Sequence, residues 1–366
     1  MGGKISTVVG LSGGVDSAVA AALLVEAGYE VTGLTMRIWD GPETGQAGCR
    51  QGCYGPGEGE DIAACEALCA RLGIPYRVVD LSREYRETVL EYFRGEYLRG
   101  RTPNPCVLCN RVMKFGFLLD RARRAGLRFD LFATGHYARI QDRNGRPCLR
   151  TAADPAKDQS YFLHRLGPDV LGKVLFPLGE KTKSEVREIA RALGLEVAEK
   201  PESQDFVSGG DYSAVFEGRE SPPGDIVDTQ GRTLGRHRGI HHYTIGQRRG
   251  LGVSSGPEPL YVWSLDSDLN RVVVGPGHGL FADGLEAEDT VLSDPALEGG
   301  PFPCRVRIRQ NHAPAEAEVT VRDGSARVLF HSPQRAVAPG QSAVFYDDQG
   351  FILGGGVIER ALRPEE

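Results

Sequence analysis

TVVGLSGGVDSAVAAALLVEA, residues 7–27, is the stretch whose order decides the fold. Thr7-Val8-Val9-Gly10 has the apolar, β-branched character of a short buried strand, and Ala18 to Ala27 reads as a helix ended by Gly28. Between them stands Ser12-Gly13-Gly14-Val15-Asp16-Ser17. Glycines in a strand-to-helix turn let backbone N–H groups come close to an anion, and the helix N-terminus adds partial positive charge. Ser12 and Ser17 can donate to phosphate oxygens. Asp16 would repel a bare phosphate, so it is read as working through Mg²⁺ or as fixing the turn. No G-x-x-x-x-G-K-[ST] occurs in the chain, so this is not the common P-loop. The bland alternative, a chance Ser/Gly turn, is disfavoured by the strand on one side and the helix on the other.

Outward from the loop, strands and helices alternate. Val31 to Met36 reads as a second strand, followed by a Gly-rich insertion at 41–60 and a helix from Asp61 to Leu72 closed by Gly73. A strand at Tyr76 to Asp80, a helix over Lys114 to Ala125 and a strand at Phe129 to Thr134 come next, then a helix from Lys183 to Leu193 and a turn-rich stretch at 199–213. This rhythm predicts an α/β fold with a doubly wound parallel sheet. Beyond about residue 208, short alternating segments punctuated by Gly and Pro, such as Gly224 to Asp228, Arg271 to Val274, Glu316 to Val321 and Ser342 to Tyr346, predict a β-rich tail ending in a small barrel. At 366 residues the chain exceeds one ordinary core. The expected division is 1–207 (nucleotide-binding domain), 208–280 (small mixed domain) and 281–366 (β-barrel).

Composition sets the class. With 40% hydrophobic and 25% charged residues the chain has a globular protein's composition. Its apolar runs, the best being Ala18 to Val25, fall short of the ~18 residues of a membrane span. The N-terminus has no stretch resembling a signal peptide. Gly2 and Ser6 fit a loose myristoylation pattern, but Ile5 to Leu11 reads better as a buried strand. The net charge of −6 does not exclude a nucleic-acid partner, because phosphate contacts depend on local patches. Residues 231–250 hold five Arg, three His and no acid, which points to an anion-facing surface rather than a merely solvated loop.

Eight cysteines stand at 49, 53, 65, 69, 106, 109, 148 and 304, and six of them form close pairs. Without an export signal, this argues for thiol or metal chemistry in a reducing, cytoplasmic setting. Cys65 and Cys69 lie four apart on a predicted helix and read as core, as do Cys148 and Cys304. Cys106 and Cys109 differ, because they follow Thr102-Pro103-Asn104-Pro105, whose prolines stiffen the loop before a helix. A cysteine there is expected to have its thiolate stabilised by the helix dipole and by Arg111 or Lys114. C-x-x-C alone leaves a redox pair, a zinc corner and a cluster ligand open.

The Ser12–Ser17 loop resembles the pyrophosphate loop of the N-type ATP pyrophosphatases, which split ATP into AMP and pyrophosphate. Further blocks make the resemblance specific. T-P-N-P-x-x-x-C-N-x-x-x-K-F, Gly135-His136-Tyr137-Ala138-Arg139, Lys157-Asp158-Gln159-Ser160-Tyr161-Phe162, Phe176-Pro177-Leu178-Gly179, the run His242 to Gly252 and the run Pro339 to Tyr346 together resemble the bacterial tRNA-specific 2-thiouridylases, over nearly the whole chain. The resemblance implies that Gly10, Leu11, Ser12, Gly13, Gly14, Val15, Asp16, Ser17, Met36 and Gly135 hold ATP. It implies that Asn104, Pro105 and Cys106 lie against the target base and that Cys109 is the nucleophile. His136, Lys157, Asp158, Gln159, Arg307, Ile308 and Gln341 would contact tRNA. The implied reaction adenylates O2 of the wobble uridine with ATP and Mg²⁺, after which sulfur from a cysteine desulfurase or relay protein displaces AMP. A monomer in the cytoplasm is expected.

The chain departs from that family at Pro201-Glu202-Ser203-Gln204-Asp205-Phe206-Val207-Ser208. Many relatives carry a persulfide-accepting cysteine two residues beyond the Asp, where this chain has Val207. Two hypotheses follow. Either Cys106 replaces the missing thiol beside Cys109, or Cys106, Cys109 and a third thiol such as Cys53 hold a [4Fe–4S] cluster with an open iron. Zinc is the third option. Rival functions are another PP-loop ligase or amidotransferase, which would not need the cysteine loop, and a non-catalytic tRNA-binding relative, which would not need an intact Ser12–Ser17 loop.

Overall fold

In the computed structural model, residues 4–41, 52–195, 197, 205–207, 212–253 and 258–363 are described. The chain forms two compact units, Met1–Val89 with Cys106–Tyr212 and Leu90–Pro105 with Ser213–Glu366. The strands of the first unit are β1 (Ser6–Gly10), β2 (Glu30–Arg37), β3 (Gly52–Tyr54), β4 (Tyr76–Asp80), β5 (Leu131–Thr134), β6 (Arg139–Arg143), β7 (Arg146–Arg150), β8 (Val174–Leu175) and β9 (Asp205–Val207). Five of them make one parallel sheet in the order β4-β2-β1-β5-β8. Strand order reverses at β1, which has β2 on one side and β5 on the other. A crevice at the carboxyl end of such a switch strand is where open α/β sheets bind ligands.

Helix α1 (Val15–Glu26) is built from small and β-branched residues, and Val15 and Ser17 to Ala22 are all buried. It packs Val15, Ala18, Val19 and Ala20 against Tyr137, Leu178, Val186 and Ala190. Helix α2 (Glu58–Leu72) turns Cys65 and Cys69 into the core beside Val9, Leu11 and Val31, as expected of small core residues. The helix expected from Lys114 begins earlier, at Pro105, and changes its winding. Cys109–Phe117 runs as a π-helix before Leu118–Arg124 returns to α. Wide turns of this kind are rare and concentrate at functional sites. The helical run 82–98, the β6–β7 hairpin and the strand Phe281–Leu292 are additions to the sequence reading. Of the insertion at 41–60, residues 42–51, Cys49 among them, lie outside the described residues, as do Ser203, Gln204 and Ser208.

The second unit contains a four-stranded sheet of Thr233–His237, Gly224–Val227, Arg271–Gly275 and Tyr261–Asp266, in that order. It also contains a closed six-stranded barrel. The barrel core is Leu285, Val306, Ile308, Val319, Val328, Phe345 and Ile358 with their neighbours. Strict in-out alternation along Pro301–Arg307 and Ala315–Arg322 is what a small closed barrel requires.

Candidate active site

The Ser12–Ser17 loop leaves β1 at the switch point and caps α1. Gly13 has φ +71°, and a Cβ there would meet Asp61 of α2 at 2.7 Å, so glycine is required both by conformation and by space. The loop is held from within. Ser12 N–H donates to Ser17 Oγ at 3.2 Å, Ser17 O–H donates to Gly14 O at 3.1 Å, and Gly13 N–H donates to Cys65 Sγ at 3.1 Å. In this arrangement the Ser17 hydroxyl and two of the amides shape the turn. Cys65 combines its core position with service as an acceptor for the loop, and burial raises its thiol pKa. A cavity of about 180 Å³ lies against Gly13, Gly14 and Ser17 and is walled by Cys65, Leu68 and Arg71 of α2.

Asp16 is fixed by two groups. Lys183 Nζ lies 2.7 and 2.9 Å from its two carboxylate oxygens, and Tyr137 O–H donates to Oδ1 at 2.8 Å. As arranged, the carboxylate is occupied by protein partners, which favours the turn-fixing reading over direct Mg²⁺ ligation. Lys183 is a partner of the loop that the sequence reading missed. It opens the helix Lys183–Ala192 behind a Thr182–Glu185 capping box, yet it is buried. A cation in the first turn opposes the helix dipole, so a buried lysine there signals an acidic partner elsewhere.

Gly135 follows β5, and a Cβ on it would meet the Asp16 carbonyl carbon and the Ser17 nitrogen, both at 2.7 Å. Its backbone therefore lies directly on the start of α1. Met36 stands near the carboxyl end of β2, half-buried, in register with Val79. His136 is ringed by Phe115 and Phe176 at centroid distances of 6.3 and 6.0 Å, and its Nδ1 lies 2.7 Å from Thr134 Oγ1. Desolvation, with Lys114 adding to it, holds its pKa well below 6.5, so the ring is neutral.

Cys109 begins the π-helix. It keeps part of its surface accessible, but dense packing pushes its pKa up to about 11, with Lys114 lowering it and Cys53 raising it. Lys114 favours the thiolate as expected, but desolvation outweighs it. Asn110 is buried and its Nδ2 donates to Phe162 O at 3.2 Å, joining the cysteine helix to the Lys157–Phe162 block. In that block Asp158 is turned inward, accepting from Ala152 N–H at 3.0 Å and from Ser160 O–H at 2.9 Å. Gln159 Oε1 accepts from Tyr137 N–H at 3.0 Å, and Lys157 is half-buried.

In the second unit, Gln341 Nε2 donates to Thr102 O at 2.9 Å, and Thr102 N–H donates to Pro339 O at 2.7 Å, which anchors the segment leading into Asn104 and Pro105. The guanidinium of Arg307 sits 5.1 Å from the Tyr346 ring centroid. Ile308 is 1% exposed, so its side chain belongs to the barrel core. Within 231–250, Arg232, Arg236, Arg238, Arg248 and Arg249 are exposed, whereas His237 and His241 are buried. Burial drops His241 to a pKa of about 4. His242 is half-buried, so the fully exposed cations of this run are its five arginines.

Val207 is buried on β9, which pairs in parallel with β3 so that Tyr54 stands in register with Val207. Cys53, on β3, is exposed. Tyr54 stacks on Tyr85 at 5.5 Å, and the buried Tyr85 hydroxyl is held protonated by desolvation and by the charges of Cys109, Cys53 and Cys106. Among the described residues, no three His, Cys, Asp or Glu side chains are gathered closely enough to hold a metal ion. Nor is any described helix long and apolar enough to cross a membrane.

Three family models match in chain order: the tRNA methyl transferase HUP domain over residues 5–208, the tRNA methyl transferase PRC-barrel domain over 215–276 and the aminomethyltransferase beta-barrel domain over 282–358. The chain is 48% identical to the tRNA-specific 2-thiouridylase MnmA of Chloroflexus aurantiacus, over 97% of this chain and 98% of the relative. It is 49% identical to the protein of that name in Chloroflexus aggregans, again over 97% and 98%, and 45% identical to that of Magnetococcus marinus over 96% and 98%. Among solved structures, the NMN synthetase of Francisella tularensis matches at TM-score 0.34 and 18% identity, covering 58% of this chain and 73% of that one. So low a score carries no functional weight.

Proposed function

Because the chain belongs to the tRNA-specific 2-thiouridylase family, we propose that it uses ATP to activate O2 of the wobble uridine in a tRNA anticodon loop and replaces that oxygen with sulfur. The products are 2-thiouridine, AMP and pyrophosphate. One observation carries the reading, namely that the short segment 135–137 touches both halves of the required chemistry. Gly135 lies on the start of α1, Tyr137 holds Asp16, and the His136 ring packs at 6.3 Å against Phe115 of the helical segment that Cys109 begins. A nucleotide at the loop and a sulfur on Cys109 then face a common substrate.

The uridine oxygen is a hopeless leaving group until it is adenylated. Gly10 to Ser17, Met36 and Gly135 hold ATP, which arrives with Mg²⁺; O2 attacks the α-phosphorus and pyrophosphate leaves. Asn104, Pro105 and Cys106 lie against the target base. A sulfur carried on Cys109 attacks C2, and AMP departs with the electrons of the C–O bond. A soft nucleophile held in line with its leaving group gains most of its advantage from position. Neutral His136 offers a hydrogen bond at the base rather than a charge at a phosphate. Lys157 and Arg307 are the cations for the backbone, while Asp158, Gln159, Ile308 and Gln341 act by shaping the surfaces that tRNA meets. The chain divides functionally at 207 and 280. It acts as a monomer in the cytoplasm and takes sulfur from a cysteine desulfurase or relay protein.

A second reading of the sulfur step rests on the donor chemistry of three thiols alone. Cys106, Cys109 and Cys53 would be the ligands of a [4Fe–4S] cluster, whose open iron would supply a bound sulfide. The donor chemistry fits, although the side chains have to draw closer together than they stand. The test of the function is incubation of an unmodified anticodon stem-loop with ATP and a persulfide donor. Nucleoside mass spectrometry should find 2-thiouridine in step with pyrophosphate release. An RNA left unsulfurated while ATP is consumed on an amino acid or a free nucleotide would instead favour the ligase reading.

A further inference from the structure

No step of the proposed chemistry uses the run His242 to Gly252, yet its turn from Thr244 to Arg249 is closely built. The Gln247 side chain ties the two ends of the turn together. Thr244 N–H donates to Gln247 Oε1 at 3.0 Å, and Gln247 Nε2 donates to Arg249 O at 3.0 Å. Gly246 N–H donates to Val262 O at 2.8 Å and Val262 N–H to Gln247 O at 3.0 Å, which docks the turn on the strand Tyr261–Asp266. One end of the turn reaches the loop that carries Asn104, because Thr244 Oγ1 lies 2.6 Å from Thr102 Oγ1. The Thr102 backbone is itself held by Pro339 O and Gln341 Nε2, with Gly340 so near that a Cβ there would meet it at 3.0 Å. The other end faces solvent. Arg248 and Arg249 are exposed, and among the described residues neither pairs with a carboxylate.

Resting on the proposed thiouridylase reading, we propose that Thr244 is a positioning residue for the target base, and that the turn it opens grips tRNA phosphates through Arg248 and Arg249. RNA grip and base placement are then made by one stiff turn. The two arginines hold the phosphate backbone without reading sequence, which fixes the register of the RNA. Thr244 passes that register to Thr102, two residues before Asn104, through a single hydroxyl contact. Pro103 and Pro105 stiffen the segment between, so a shift at Thr102 is carried to Asn104 instead of being absorbed. Both chemical steps depend on this placement. O2 has to stand in line with the α-phosphorus, and C2 in line with the sulfur. In this role Thr244 acts through Thr102 and need not touch a reacting atom.

The test compares Thr244→Val, which keeps the shape and deletes the hydroxyl, with Thr244→Ser, which keeps the hydroxyl. Affinity for unmodified tRNA is read by filter binding. Pyrophosphate and 2-thiouridine are then followed in a single turnover of the full chain, loaded with persulfide, at saturating tRNA and ATP. Thr244→Val should bind tRNA like the wild type yet form both products about tenfold more slowly or worse, and Thr244→Ser should recover the wild-type rate. Arg248→Gln and Arg249→Gln should each weaken tRNA binding and lower the salt slope of log K by about one. Thr244→Val reacting at the wild-type rate, or a slow rate that Thr244→Ser does not recover, overturns the positioning role. Arginine variants with wild-type affinity and salt slope overturn the phosphate grip. A wild-type protein that makes no pyrophosphate and no 2-thiouridine instead overturns the thiouridylase reading on which the proposal rests.

Discussion

Lys183→Met removes the cation that compensates Asp16 at the mouth of the anion loop. In the wild type the ammonium lies 2.7 and 2.9 Å from the two carboxylate oxygens, with side-chain exposures of 11% for Lys183 and 32% for Asp16. Without it, a bare carboxylate faces the incoming polyphosphate. Two unit charges ~6 Å apart at an effective dielectric of about 20 repel by nearly 3 kcal/mol. Asp16 is a third exposed, so salt and water reduce this to about 1–2 kcal/mol. At ~1.4 kcal/mol per decade, KM for ATP should rise roughly five- to thirty-fold. The rise should shrink as salt is added. The assay is tRNA-dependent pyrophosphate release at varied ATP and ionic strength. Asp16→Asn on top of Lys183→Met should recover most of the lost affinity, because it deletes the uncompensated charge. An unchanged KM in Lys183→Met, or a double variant no better than the single, refutes the electrostatic account.

Three further outcomes are expected. Cys109→Ala should keep the pyrophosphate burst and lose 2-thiouridine, read by nucleoside mass spectrometry, because activation and sulfur delivery rest on different residues. Gly135→Ala should lower the thermal midpoint and weaken ATP binding together, since the added methyl meets the backbone of Asp16 and Ser17 at 2.7 Å. His241, held near a pKa of about 4 by burial, binds fewer protons folded than unfolded. Stability should therefore fall as pH drops from about 6.5, the free value, towards 4, and His241→Gln should flatten that part of a denaturation-midpoint profile.

Much of the first unit was readable because its information is local. The β1–loop–α1 order, the Gly28 and Gly73 helix ends and the strand at Tyr76–Asp80 all follow from neighbours in the chain. The helical run 82–98 was readable too: Tyr85, Val89 and Phe93 recur every fourth residue and are buried. Its many Arg and Glu hid that stripe. The partners that define the site were not readable from local pattern, because Lys183 reaches Asp16 from 167 positions away and Cys65 reaches Gly13 from 52. The π-helix left no trace in the sequence, since a wide turn shifts register without changing composition. Counting all three histidines of 231–250 as cationic surface failed for a similar reason, because His237 and His241 fold inward while the five arginines stay exposed.

The raised thiol of Cys109 bears on how the enzyme stays quiet between turnovers. A pKa of about 11 leaves only a trace of thiolate near neutral pH, so the resting cysteine is a poor nucleophile towards stray electrophiles and towards the adenylated base. Loading a sulfur changes this by geometry. The new S–S bond carries the reactive atom ~2 Å beyond the Sγ that packing desolvates. Reactivity then belongs to the charged carrier and not to the bare cysteine. Iodoacetamide labelling of Cys109, followed by peptide mass spectrometry, should accelerate with pH towards a midpoint near 11, and labelling of the persulfide-loaded protein should already be fast at pH 7.5. Equal labelling rates for the bare and loaded forms at pH 7.5 would show that burial does not restrain this thiol.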